Sequence, residues 1–537
     1  MSAVSFIKDA SAVLKQIPIK LAGAPAARAL KTILDELPVQ QPLQMVGNRS
    51  GYHYTEASSG GSPGALSRTK HKIFGNPDSI QLLYAGWDLR TAKEAITPIG
   101  AYRVISASVA AGGSGHALND VITLTATGAA TTTSPTVVKL RVLGISGGAI
   151  TKVGIVNRGV YDAPLADGAA QASTTGSGIS STFNLEWEGV QGLIRVGVEP
   201  DFSATQTASG STAARAATVG IIPDGARDLD IIPKPGQLIL TDPIPIKIGT
   251  NSPSNVGLRI WTRGPSMPRG RQTVANSEYY STSTTDATLT GANLAAQVTQ
   301  GAFLAPIAIL GRPTKRQNSI VVISHSIAQA VYSAGTGIGD QGDADGHTGW
   351  FERSVAGLYP YSSFARSGDN TSDFISTVTG FGSSMRFEAL KLMRPRMVIV
   401  DLSVNDNQNL YSTMTEREKV LVQLLRGIGV EYVGTCTTTP QTSSTDNWAT
   451  TGNQTKLDAG ARDVYTQARN TAVRAGTHPA GYDFLIDWGA SVESTVGSGL
   501  WKPNVPGDNT HPKQDWHAGD GMTIARAAIQ AVMPTNL

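Results

Sequence analysis

Three polar clusters in the second half of the chain carry the residue types of nucleophilic acyl transfer. They are Ser324–His325–Ser326–Ile327, Ser403–Val404–Asn405–Asp406–Asn407 and Asp508–Asn509–Thr510–His511–Pro512, joined by a shorter string, Ala365–Arg366–Ser367–Gly368–Asp369. That chemistry needs a hydroxyl, a base that takes its proton, a group that orients the base, and donors for the oxyanion. Ser326 is the candidate hydroxyl, at a predicted strand-to-helix turn where a helix N-terminus favours developing negative charge. His511 supplies an imidazole, the side chain that exchanges a proton near neutral pH. Asp508, three residues earlier, reaches its far nitrogen and fixes the tautomer. The backbone N–H groups of Ser326 and Gly368 and the side-chain amide of Asn405 are the candidate oxyanion donors.

These clusters follow elements that would bring them to one rim. After about residue 315 the pattern alternates strand and helix. Apolar runs at 318–324, 397–404, 430–437 and 482–488 suit buried parallel strands. Helical patterns fall at 373–393, 415–428, 456–475 and 518–533, and in the second of them Val420, Leu421, Leu424, Leu425 and Ile428 form one stripe. Such alternation builds a parallel sheet covered by helices on both faces, which binds ligands beyond the carboxyl ends of its strands.

The clusters, in this order, resemble the SGNH hydrolases, also called GDSL esterases or lipases. The resemblance covers about residues 315–537, and Asp508–Asn509–Thr510–His511–Pro512 and Val404–Asn405–Asp406 are its most specific parts. It implies an α/β three-layer, flavodoxin-like hydrolase domain with Ser326 as nucleophile, His511 as base and Asp508 as its partner. Ser326, Gly368 and Asn405 would form the oxyanion hole, with no metal and no organic cofactor. Two positions depart from the pattern. The family's Gly–Asp–Ser is Ser324–His325–Ser326 here, losing the acid beside the nucleophile, and the Gly of Gly–x–Asn–Asp is Ser403.

Ahead of this domain the texture differs. Residues 67–314 show short alternating runs between turn residues, the pattern of a β-sandwich or jelly roll. Within it, residues 101–187 are rich in Gly, Ala, Thr and Ser and read as a small inserted β module. There the turn Ser146–Gly147–Gly148–Ala149 joins two strands as a hairpin. This stretch resembles small β modules of phage tail and other virion proteins, on strings such as Gly115–His116–Ala117–Leu118–Asn119–Asp120 and Asn157–Arg158–Gly159–Val160–Tyr161. Residues 1–66 form a helical arm and linker, with residues 1–40 a candidate contact to other virion or tail proteins.

Composition supports a large all-β portion. There are 58 glycines and 28 prolines in 537 residues, and only 16% of residues are charged, which excludes long coiled coils. A net charge of +3 gives no footprint for nucleic acid, and no apolar run reaches the length of a membrane helix. The first nine residues do not read as a secretory signal. The single cysteine, Cys436, excludes an intrachain disulfide and a Cys-based zinc site and reads as inert core.

Several residues invite other readings. His517 is a rival base, but Gln514 stands where the acid should be. The loop from Asp340 to Gly346 lacks calcium-loop spacing and reads as a rim loop. Trp350, Trp448, Trp501 and Trp516 fall in predicted loops, where they could stack on sugars or simply pack. The expected function is a serine esterase removing O-acyl, chiefly O-acetyl, groups from a cell-surface polysaccharide such as capsule or lipopolysaccharide. The setting would be a phage tail spike or fibre, on the virion or outside the cell, and a homotrimer is compatible with that likeness. The alternatives are a virion protein that binds glycan without catalysis and a secreted bacterial esterase.

Overall fold

The structure is a computed structural model. It describes residues 41–535 apart from 58–64, 97–100, 126–136, 200–214, 221–227, 232–236, 247–253, 270–278, 283–287, 290–304, 331–341, 376–384 and scattered positions of one or two residues. The helical arm expected over residues 1–40 lies outside the described residues.

The chain builds an antiparallel β region followed by a parallel α/β unit. Two five-stranded sheets make up the first. One runs Gln44–Met45, Ala308–Gly311, Ser79–Ala85, Leu238–Leu240, with Ile244–Pro245 also on the third of these; the other runs Arg215–Ala216, Leu193–Glu199, Ser254–Arg263, Ala65–Ile73, Tyr279–Thr282. Alternating side chains such as Ile80, Leu82, Val196, Val198, Leu258 and Ile260 meet in one apolar core. This is the period-two burial that strands require.

Residues 101–187 form a separate six-stranded antiparallel sheet with its own core of Val104, Ile122, Leu140, Phe183 and neighbours. Its end strands, Ala149–Asn157 and Ala101–Ser114, lie against each other, so the sheet curls nearly into a barrel. Ser146 pairs with Ala149, and the two residues between them, Gly147 and Gly148, have φ of +57° and +81°. A two-residue turn with both φ positive twists in the same sense as its strands, and glycine adopts it without a Cβ clash.

The α/β unit holds six strands in the order Ser50–Gly51, Tyr361–Ala365, Ile320–Ser324, Met397–Asp401, Tyr432–Cys436, Phe484–Ile486, and every neighbouring pair is parallel. The apolar runs become central strands buried on both faces; Ile320–Ser324 and Met397–Asp401 are buried throughout. Helices Met385–Met393 and Tyr411–Gly427 cover one face, and Gly349–Val355 and Met522–Val532 the other. On the first face Met45, Leu83, Ile307 and Leu310 of the antiparallel region share a core with Leu390, Val398, Val400 and Leu421. The two regions are therefore joined by apolar packing. The stretch 44–57, read as linker, is woven into three sheets, and Ser50–Gly51 forms the edge of the parallel one.

Some elements differ from the sequence reading. The helix expected over 373–393 is described as Thr371–Ile375 and Met385–Met393, the residues between lying outside the description. In Tyr411–Gly427 the buried face is Met414, Glu418, Leu421, Val422 and Leu425, while Val420 and Leu424 are 42% and 40% exposed. The stripe rotates because Glu418 turns inward to meet buried Arg469 and His478. Trp350, Trp501 and Trp516 are core side chains rather than loop aromatics. Trp350 and Trp516 each meet Trp488 edge-to-face, at 4.5 and 5.5 Å between centroids. Only Trp448 of the four keeps a partly exposed face. Among the described residues no helix is long and apolar enough to cross a membrane.

Candidate active site

Parallel strands in register end at one level, and that places the site. Ser324 pairs with Ala365 on one side and Asp401 on the other. Ser326, Gly368 and Asn405 therefore leave three adjacent strands within two to four residues of that row.

The structure brings Ser326, His511 and Asp508 together. Ser326 Oγ is 2.7 Å from His511 Nε2. His511 Nδ1 is 2.9 Å from Asp508 Oδ2 and 3.0 Å from Oδ1. An ionised carboxylate only accepts, so Nδ1 carries the proton; the Nε2 of a neutral imidazole is then the acceptor for the Ser326 hydroxyl. Asp508 Oδ1 also accepts the backbone N–H groups of Thr510 and His511, each at 2.8 Å. Partial burial would raise this carboxyl's pKa. The hydrogen bond and charge of His511 and the two N–H donors outweigh that and hold it at about 2. The orienting acid is thus ionised wherever the imidazole can work as a base.

The segment carrying His511 is clamped. Gly507 N–H donates to His511 O at 2.7 Å, and Pro506 and Pro512 form a β-bridge. Thr442 N–H donates to Asn509 O at 3.1 Å and Gln441 Nε2 to Thr510 Oγ1 at 3.4 Å. Gln441 Oε1 in turn accepts from Asn407 Nδ2 at 2.9 Å. Gln441 thereby connects the Asn405 block to the His511 block, a role its sequence surroundings did not signal.

The other blocks are stitched to each other. Ser367 N–H donates to Gln329 Oε1 at 2.7 Å, and Asn405 Nδ2 donates to Asp369 O at 2.8 Å. The Asp369 carboxylate is held by Arg386, whose guanidinium lies 4.5 Å over the Phe374 ring. Gly368, between these ties, is exposed with φ of +79°. An added Cβ would meet nothing within 4 Å. Glycine is favoured here by backbone conformation rather than by space.

Two expectations need correcting. The chain after Ser326 makes a turn over 326–330, not a described helix, and Ala330 at its end has φ +66°. A helix dipole is therefore not what prepares this position for negative charge. His517 is fully buried against the Trp516 ring at 5.2 Å and belongs to the core. The loop before Gly349 faces the antiparallel region, with Asp343 on His347 and Asp345 on Lys70.

Asp401 was not singled out in the sequence, yet it explains the altered nucleophile block. Its Oδ2 accepts the Ser324 hydroxyl at 2.7 Å and its Oδ1 lies 3.4 Å from His325 Nε2, all three residues being buried. An acidic side chain thus reaches the Ser324–His325 pair from the neighbouring strand. No local signal marked it, because the contact follows from the register of two strands far apart in the chain.

Asp406, next to Asn405, is buried and accepts the Thr371 N–H at 2.9 Å. Burial dominates and pushes its pKa up to about 6. Between about pH 4 and 6 the folded state holds a proton that the unfolded chain has released, so stability falls as pH rises through that window. Asp406→Asn removes this slope. Urea midpoints at pH 4.5 and 7.5 should show the parent losing on the order of 2 kcal/mol more than the variant across the interval.

No protein-family model matches the sequence, and no curated protein matches it either. Solved structures do show similarity over part of the chain. A provisionally assigned GDSL-like lipase from Bacteroides ovatus has 14% identity, a TM-score of 0.28, and covers 64% of this chain and 82% of its own. Phospholipase A1 from Streptomyces albidoflavus has 14% identity and a TM-score of 0.25, covering 40% of this chain and 100% of its own. A peptidoglycan O-acetylesterase has 7% identity and a TM-score of 0.26, covering 64% of this chain and 67% of its own. Activity and substrate must be read from the side chains.

Proposed function

We propose that the protein is a serine carboxylic ester hydrolase that removes O-acyl groups, chiefly O-acetyl, from a polysaccharide. One observation carries the reading: an unbroken hydrogen-bonded line from Ser326 Oγ through His511 to an ionised Asp508. In the proposed cycle Ser326 Oγ attacks the ester carbonyl carbon and its proton passes to His511 Nε2. The carbonyl oxygen becomes an oxyanion, received by the N–H groups of Ser326 and Gly368 and the Asn405 amide. His511 then protonates the departing sugar oxygen, leaving an acyl-serine. Water attacks that ester while giving a proton to Nε2, and acetate leaves as Ser326 regains its hydrogen.

A chromogenic acetyl ester tests the reaction class, and acetate release from O-acetylated capsular or lipopolysaccharide tests the substrate class. Turnover of neither would refute the proposal. The non-catalytic glycan-binding alternative drew its support from the altered Ser324–His325 pair. Asp401 favours the catalytic reading by giving both side chains a structural partner of their own, on Ser324 Oγ at 2.7 Å and on His325 Nε2 at 3.4 Å. The polysaccharide substrate and virion setting rest on the antiparallel region and on the sequence likeness of residues 101–187.

Asn405 has one amide hydrogen on Asp369 O, which leaves a second to donate. Asn405→Ala is expected to lower kcat by about 10²–10³ with little change in KM, since the donor acts on charge that develops in the transition state. Steady-state kinetics on the acetyl ester would show it. A fall in kcat/KM confined to KM would argue against an oxyanion role.

A further inference from the structure

Gln329 follows the candidate nucleophile by three residues. Its backbone N–H donates to His325 O at 3.2 Å, and the Ala330 N–H donates to Ile327 O at 3.1 Å, which closes one turn of chain around Ser326. Residues three apart in such a turn project to one side, so the Gln329 side chain leaves the turn beside Ser326. It crosses to the neighbouring block, where Oε1 accepts the Ser367 N–H at 2.7 Å.

A backbone N–H only donates, so the oxygen and nitrogen of this amide are not interchangeable. Nε2 is the open end. It has no partner among the described residues, and it is not a buried atom, since the contact with Ser367 lies at the surface. Two N–H donors therefore stand on the rim, beside the Ser326 turn and against the residue that precedes Gly368.

The acceptors of the substrate decide what these donors meet, and this step rests on the esterase reading. An oxyanion has three lone pairs, which the N–H groups of Ser326 and Gly368 and the Asn405 amide already match. His511 serves the bridging oxygen of the ester, and an acetyl methyl accepts nothing. The acceptors that remain lie on the alcohol portion. A sugar supplies them as a neighbouring hydroxyl or ring oxygen, and a plain alkyl alcohol has none.

We propose that Gln329 is a specificity-determining residue whose Nε2 donates to an oxygen beside the ester on the alcohol side. The site then prefers acetyl esters of polyols to those of plain alcohols. One amide would hold the Gly368 loop with its oxygen and read the substrate with its nitrogen.

Hydrolysis of 2-methoxyethyl acetate and butyl acetate by the full chain tests it, with acetate release followed in a pH-stat. The two esters share acyl group and chain length, and the first carries an ether oxygen, which only accepts, where the second has a methylene. Gln329→Glu keeps an oxygen for the Ser367 N–H and removes the donors; Gln329→Met keeps the length and no polar group. The ratio of kcat/KM for the ether ester to that for the butyl ester should be about fivefold higher in the parent than in either variant, the value of one neutral hydrogen bond. Differences in leaving-group acidity, and any slackening of the Gly368 loop, act alike on numerator and denominator or on parent and variant, and cancel. A ratio that stays within about twofold of the parent's in either variant would overturn the inference and leave the esterase reading standing. A parent that hydrolyses neither these esters nor the chromogenic one would remove the esterase reading, and this inference with it.

Discussion

Ser326→Ala is expected to lower the kcat for a chromogenic acetyl ester by about 10⁴-fold or more, with KM little changed. The side chain is 5% exposed and its only described partner is the His511 imidazole. Removing the oxygen therefore deletes the attacking atom while leaving the packed turn in place. His511→Ala should fall to a similar rate, and the double variant should be no slower than either. Groups that act as one unit do not add, because the loss of one leaves the other nothing to do. Residual turnover would come from the Gly368 and Asn405 donors and from water. An Ala variant keeping a tenth of the parent rate would remove Ser326 from the mechanism, as would losses that multiply in the double variant. The ionised state of Asp508 adds a pH expectation. With its carboxyl held at about 2, it does not titrate across the range where the enzyme works.

The largest effect on stability is expected far from that site. Glu199 sits between Arg68 and Arg259 in the antiparallel region, all three side chains being no more than 1% exposed. Arg68 reaches it with Nε at 3.1 Å from both oxygens and Nη2 at 2.8 Å, and Arg259 Nε bonds its Oε1 from the opposite side. Glu199→Ala leaves two guanidinium groups facing each other without the charge between them. The expected loss is about 3–5 kcal/mol, the usual consequence of breaking one partner out of a buried ionic group. Replacing all three with apolar residues of similar volume should recover most of it, since no ion then has to be desolvated. Urea titration followed by tryptophan fluorescence tests both, with Trp261, buried on the same strand as Arg259, as a reporter. A loss under 1 kcal/mol for Glu199→Ala would show that water or other polar groups already satisfy the arginines.

The Ser326 block and the Asn405 block were legible because each follows a local pattern. An apolar run of four or five residues ended by polar ones marks a buried strand and the loop beyond its carboxyl end. Register along a parallel sheet then does the rest, since equal strand ends put those loops on one rim. The Asp508–His511 pairing was legible for a simpler reason, that three residues separate the two side chains. Contacts between distant segments were not. Asp401 under His325, Gln441 between Asn407 and Thr510, and the edge strand Ser50–Gly51 depend on which segments become neighbours. The helix stripe of 411–427 was misplaced for the same reason, because a buried Arg469 on another helix turned Glu418 inward.

Taken alone, the order of residues pointed to a β region followed by a parallel α/β unit, and to the strands whose ends bring Ser326 and Asn405 to one rim. Local hydrophobic period and short-range polar spacing are properties of consecutive residues, so they survive without coordinates. Only the tertiary structure decided that Trp350, Trp501 and Trp516 are core, that Asp401 meets Ser324 and His325, and that a charged cleft lies between the regions. Those outcomes depend on desolvation and on the meeting of side chains up to about three hundred positions apart, for which no local pattern exists.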